Sequence, residues 1–112
     1  MEPNKLMGDF TAGLGRVGDE FPELGQAFVN LTSAALVEGE LSARVKELIA
    51  VALGVFAGCE YCIAYHVHKA VEEGATREEI LEAAAVAVAF GGTPAMAKVA
   101  TALLACLDEV AG

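Results

Sequence analysis

Ser42 to Gly58 reads SARVKELIAVALGVFAG, and the residues that follow, Cys59 to His66, read CEYCIAYH. Ser42 is a residue type that caps helix N-termini, because its hydroxyl accepts a free N–H of the first turn. From Leu48 to Cys59 no residue is charged, and all but Gly54 and Gly58 are apolar. A helix that is apolar on every side is buried on every side. A membrane span needs roughly eighteen such residues, so this run predicts a central core helix to about Ala57, stopped by Gly58. A further helix is predicted from near Cys59 to about Glu73, where Gly74 suits a C-terminal stop.

The same punctuation continues on both sides. Thr76-Arg-Glu-Glu79 matches a capping box and opens a helix to about Phe90. Gly91-Gly92 predicts a break, after which Thr93 as cap and Pro94 as first helical residue start a last helix to about Val110. Upstream, Pro22 opens a helix to about Val37, and Gly39 breaks the chain. Leu6, Phe10, Leu14 and Val17 recur at helical spacing over about Asn4–Val17, although Gly8, Gly13 and Gly15 weaken that segment. No window sustains the alternation of a strand. The expected fold is all-α: a compact bundle of about six helices forming a single domain over residues 1–112.

Composition narrows the function. The chain has 112 residues, 55% hydrophobic, with no Trp; 7 basic against 16 acidic residues give a net charge of −9. Such a field repels phosphate backbones, so no nucleic-acid partner is expected. The N-terminus lacks the apolar stretch of a signal peptide, so the expected location is cytoplasmic, with no membrane partner. Gly13-x-Gly15-x-x-Gly18 matches a dinucleotide fingerprint in letters but follows no strand. No metal, flavin or nicotinamide is required by the residues, and the expected cofactor is none. The aliphatic excess over what one small core hides predicts a homo-oligomer.

The chemistry lies in Cys59, Cys62 and Cys106. Three cysteines make no disulfide framework, and a Cys-x-x-Cys pair in a reducing compartment points to redox or metal chemistry. At about 100° per residue, Cys62 lies about 60° from Cys59, and His66 about 40° from Cys62 one turn on, so the three share a stripe. Lys69 extends it, while His68 faces elsewhere. A thiolate is the reactive form of cysteine, and a helix N-terminus favours it. His66 can take the proton of Cys62, and Cys59 is near enough to close a disulfide with Cys62. Glu47, the last charge before the apolar run, can reach back to His66 and fix its tautomer.

Blander roles compete. Cys59, Cys62, His66 and Glu47 could instead ligate a metal, though structural zinc sites gather ligand pairs from two segments. Glu47 could simply pair with Arg44. Tyr61 and Tyr65 read as packing or pocket walls, Lys69 as a solvated charge, Cys106 as core, and the charges of 72–79 as a solvated rim.

Glu47-x11-Cys59-x2-Cys62-x3-His66 resembles the motif of the alkylhydroperoxidase D-like branch of the carboxymuconolactone decarboxylase family. Gly91-Gly92-Thr93-Pro94-Ala95 is similar to that family's Gly-x-Pro turn, and the likeness spans about residues 41–104. The best-known branch carries a histidine where this chain has Tyr61. The resemblance implies a thiol-dependent hydroperoxide reductase that forms trimers or trimers of dimers. It implies that Cys62 attacks the peroxide, Cys59 donates a proton and resolves the sulfenic acid, and His66 and Glu47 relay protons. The implied partners are a small-molecule hydroperoxide and a dithiol or thiol-protein reductant. Two alternatives stand beside it: a decarboxylase of a carboxylated lactone, as in the family's other branch, and a non-enzymatic redox-sensing scaffold.

Overall fold

A computed structural model describes residues 1–111. Every regular element among them is helical: α1 (Pro3–Glu20), α2 (Pro22–Leu36), α3 (Ala43–Ala57), α4 (Glu60–Glu72), α5 (Arg77–Lys98), a π-helical turn (Val99–Leu103) and α6 (Leu104–Val110). The all-α expectation therefore holds.

The caps follow the sequence signals. The Ser42 hydroxyl accepts the Val45 N–H at 3.1 Å. Thr76 and Glu79 exchange the two bonds of a capping box, at 3.1 and 2.9 Å. Pro22 stands in the first turn of α2. The segment weakened by glycines is nevertheless an unbroken 18-residue helix, because packing against α2 and α4 supplies what propensity lacks.

The expected break at Gly91-Gly92 holds. Gly92 has a non-helical backbone (φ 65°, ψ −147°), so α5 consists of two helical segments that meet at a kink there, with Pro94 near the start of the second. A residue with a side chain is strained at that φ, so glycine is what allows the chain to turn. The π turn then carries the same rod into α6.

α3 is the hub, with α4 and α5 packed on it and α6 closing against α4. The core interleaves Val51 and Val55 of α3, Ile63, Val67 and Ala70 of α4, Ile80 and Ala84 of α5, and Leu103, Cys106 and Leu107 at the C-terminal end. The stretch Arg77–Val110 also includes a window apolar enough to cross a membrane by length and composition, a feature the sequence reading did not single out. Its buried residues belong to this core. α1 and α2 lie outside it, and the radius of gyration, 14.2 Å, exceeds the roughly 13 Å usual for this length.

A wide apolar surface remains uncovered. Leu53 (62% exposed), Phe56 (57%), Val86 (60%) and Phe90 (80%) are its most exposed large members on α3 and α5, and the Phe56 ring lies against Gly91, joining the two helices into one face.

Candidate active site

The turn between α3 and α4 builds the site. Gly58 takes a left-handed conformation (φ 70°) that ends α3. The Cys59 N–H then returns to the Gly54 carbonyl at 3.0 Å. This places Cys59 at the N-cap of α4 rather than in its first turn, and Cys62 three residues on. The Cys59 sulfur accepts the Cys62 N–H at 3.1 Å. It therefore occupies the position where an oxygen caps most helices, at the positive end of the helix dipole. Cys59 and Cys62 are joined by a disulfide, with Cα atoms 5.2 Å apart.

Gly54 makes room for this turn. A Cβ on Gly54 would stand 3.2 Å from the Cβ of Cys62 and 3.3 Å from the Ile63 nitrogen. Glycine inside a helix costs about 1 kcal/mol against alanine, but here a Cβ would press on the first turn of α4, backbone included, which must give by a few tenths of an ångström. Gly54→Ala should therefore lower stability by about 1–2 kcal/mol despite its better propensity. A thermal melt of both proteins checks this; an unchanged or raised midpoint contradicts it.

Behind the disulfide, Glu47 Oε1 and His66 Nδ1 are 2.6 Å apart. Glu47 is 6% exposed, and among the described residues it is the one charged side chain that is buried. A carboxylate in that setting needs a strong partner, and His66 supplies it. With Nδ1–H donating to the carboxylate, Nε2 is the nitrogen left to accept a proton. The expected alternative partner of Glu47 is corrected: Arg44 pairs with Glu79 of α5. Glu79, with its bonds to Thr76 and Arg44, is accordingly no mere solvated rim.

An aromatic ladder flanks the pair. Phe10 of α1 stacks on Tyr61 with centroids 3.8 Å apart, Tyr61 on Tyr65 at 5.8 Å, and Tyr65 meets His66 edge-on at 5.0 Å. Burial, with Tyr65 nearby, pushes the Tyr61 hydroxyl above the usual phenol range, so it stays neutral at physiological pH. The two tyrosines are walls, as expected.

The remaining candidates stand apart. His68 bonds the Ala64 carbonyl at 2.9 Å and faces Glu109 at 3.7 Å. Lys69 is half-exposed beside Glu72, 3.5 Å away. Cys106 is fully buried; desolvation first, then Glu109 and Glu60, push its thiol up to about 11, which leaves it inert. Among the described residues no group of three or more His, Cys, Asp or Glu is arranged to hold a metal ion.

The family model for the carboxymuconolactone decarboxylase family matches residues 22–105. The chain belongs to the carboxymuconolactone decarboxylase family. A member of that family from Legionella pneumophila has a crystal structure that superposes with a TM-score of 0.91 at 38% identity, covering 98% of this chain and 97% of its own. A Thermotoga maritima family member, whose name suggests a part in antioxidative response, superposes at 0.82 with 30% identity, over 92% and 87% of the two chains. Among curated relatives, an uncharacterised protein of Cupriavidus necator is 42% identical over 96 residues, 86% of this chain and 84% of its own. Uncharacterised protein 4 of the Paracoccus denitrificans cox locus is 39% identical over 102 residues, 91% of each. The family match begins at α2, so α1, which brings Phe10 to Tyr61, lies outside it.

The structure pairs Glu47 with His66 and Cys59 with Cys62, the four residues that the sequence singled out. Sequence reasoning missed Phe10 and Gly54, because neither is chemically distinctive and each acts through a contact that spacing alone does not encode.

Proposed function

We propose that this family member is a thiol-dependent hydroperoxide reductase of the alkylhydroperoxidase D-like kind, working in the cytoplasm. The observation that carries the reading is the largely buried Glu47–His66 hydrogen bond, 2.6 Å, which ties α3 to the helix that opens with the Cys59–Cys62 disulfide.

In the reduced protein, His66 takes the proton of the Cys62 thiol, and Glu47 stabilises the imidazolium. The Cys62 thiolate attacks the terminal peroxide oxygen and the O–O bond breaks. The leaving alkoxide takes the proton of Cys59 and departs as an alcohol, leaving Cys62 as a sulfenic acid. The Cys59 thiolate attacks the Cys62 sulfur, the disulfide forms, and the departing hydroxide takes the His66 proton as water. A dithiol or thiol-protein reductant then resets the pair by exchange. Neither step calls for a metal or an organic cofactor.

Lactone decarboxylation draws less support. It needs proton transfer and anion binding rather than a thiol pair, and the chain's net charge of −9 disfavours an anionic substrate.

The test is steady-state consumption of an organic hydroperoxide with a dithiol supplied. Turnover is expected; stoichiometric loss of one peroxide per chain without turnover would favour the redox-sensing scaffold.

The exposed face of α3 and α5 supports a homo-oligomer, as a trimer or hexamer. Leu53, Phe56, Val86 and Phe90 are each more than half exposed, and no charged residue lies between Glu82 and Lys98. Apolar patches of this kind mark subunit contacts. Sedimentation equilibrium should give a multiple of 11.5 kDa; the monomer mass at micromolar concentration contradicts the assembly.

A further inference from the structure

Lys98 closes the α5 rod immediately before the π turn, 39 residues from Cys59 in sequence. Its side chain lies beside the two neighbours of that cysteine. A Cβ on Gly58 would stand 3.8 Å from Lys98 Cε, and Lys98 Nζ is 3.7 Å from Glu60 Oε1. The ammonium, coming from a separate segment, therefore lies near the turn that carries Cys59. The direction it takes depends on what precedes and follows it: the Gly92 kink redirects the rod and the π turn widens it. Interruptions of that kind recur where a helix serves a site.

We propose that Lys98 is a further residue of the redox centre, an electrostatic partner that favours the Cys59 thiolate whenever the disulfide is open. The inference rests on the reading of Cys59–Cys62 as a redox pair. In the reductive step, a thiolate of the external dithiol attacks the Cys62 sulfur. A mixed disulfide forms, the Cys59–Cys62 bond breaks, and Cys59 leaves as a thiolate beside the Lys98 ammonium. The second sulfur of the dithiol, deprotonated, then displaces Cys62, so the dithiol ends oxidised, the protein gains two electrons, and the two thiol protons end on the cysteines. A better-stabilised leaving thiolate speeds the first exchange. The same ammonium favours Cys59 giving its proton to the departing alkoxide in the oxidative step.

The charges around Cys59 define the test. Glu60 on α4 competes for Lys98, and Glu2, just before α1, with Lys5 and Asp9 of α1 line the open cleft beside Glu60, Lys5 and Asp9 being paired at 2.8 Å. Two readouts need no peroxide: the pH profile of iodoacetamide alkylation of Cys59 in a Cys62→Ser background, and the rate at which dithiothreitol opens the disulfide in the otherwise unaltered chain. With Lys98→Gln, alkylation at pH 7 should slow about three- to tenfold, its profile should move up by about half to one pH unit, and reduction should slow similarly. Lys98→Arg should restore both. Glu60→Gln should move both the other way, since it frees the ammonium for the thiolate. Raising salt should slow alkylation of the Lys98 protein. Unchanged rates with Lys98→Gln overturn the inference, and so does slowing by Glu60→Gln as well, because a purely structural ion pair loses from either side. If the unaltered chain consumes no hydroperoxide, the peroxidase reading falls, and these two rates still judge Lys98.

Discussion

Cys62→Ser should abolish hydroperoxide consumption, by at least about a thousandfold, while the helical fold remains. A serine hydroxyl is not ionised by an imidazole at neutral pH, and no other thiol in this position has the same base one turn away. The loss is chemical rather than structural: the Cys62 side chain fits against Gly54, where a Cβ would meet it at 3.2 Å, and serine is the smaller residue. Cys59→Ser should behave differently. It leaves Cys62 able to attack once and stalls at the sulfenic acid, which dimedone traps. The geometry makes the comparison a real test of order, because the N-cap position gives the Cys59 sulfur the Cys62 N–H. Full activity in Cys62→Ser together with an inactive Cys59→Ser reverses the two roles.

Glu47→Gln should keep the shape of the buried side chain and remove its charge. His66 then faces an amide instead of a carboxylate, and the imidazolium that forms when Cys62 loses its proton has no anionic partner. A close carboxylate–imidazolium interaction is worth on the order of 1–3 pH units, and each unit is about tenfold in the thiolate-to-thiol ratio. A thiolate that forms less readily is also a stronger nucleophile, which offsets part of that loss. The expected net fall in peroxide turnover near neutral pH is several-fold to about a hundredfold, with the alkylation profile of Cys62 displaced to higher pH. The sign follows from the charge: removing a negative partner disfavours the protonated imidazole, so the loss is greatest at neutral pH and shrinks as pH rises and the thiol ionises unaided. An unchanged profile with unchanged turnover would reduce Glu47 to a packing role.

How much of this was legible before folding differs by residue. Ser42, Thr76 and Gly58 announce their helix ends because capping is local chemistry, satisfied within four residues. Glu47, Cys59, Cys62 and His66 announce a site because helical periodicity fixes which side chains share a face. Arg44 misled, since its i, i+3 relation to Glu47 is outweighed by a partner 35 positions away, Glu79. Gly91-Gly92 announced its break because a positive φ is a local demand that glycine meets at no steric cost. Lys98, Phe10 and Gly54 were silent, because their contacts exist only once α1, α3 and α5 converge on the start of α4.

The most direct measurement is intact-mass spectrometry of the reduced protein before and after one equivalent of an organic hydroperoxide, with free thiols alkylated afterwards. The predicted result is loss of two alkylatable thiols as a single disulfide mapped by digestion to Cys59 and Cys62, with one equivalent of alcohol formed and Cys106 unmodified. Retention of all thiols with the hydroperoxide left intact would contradict the peroxidase assignment.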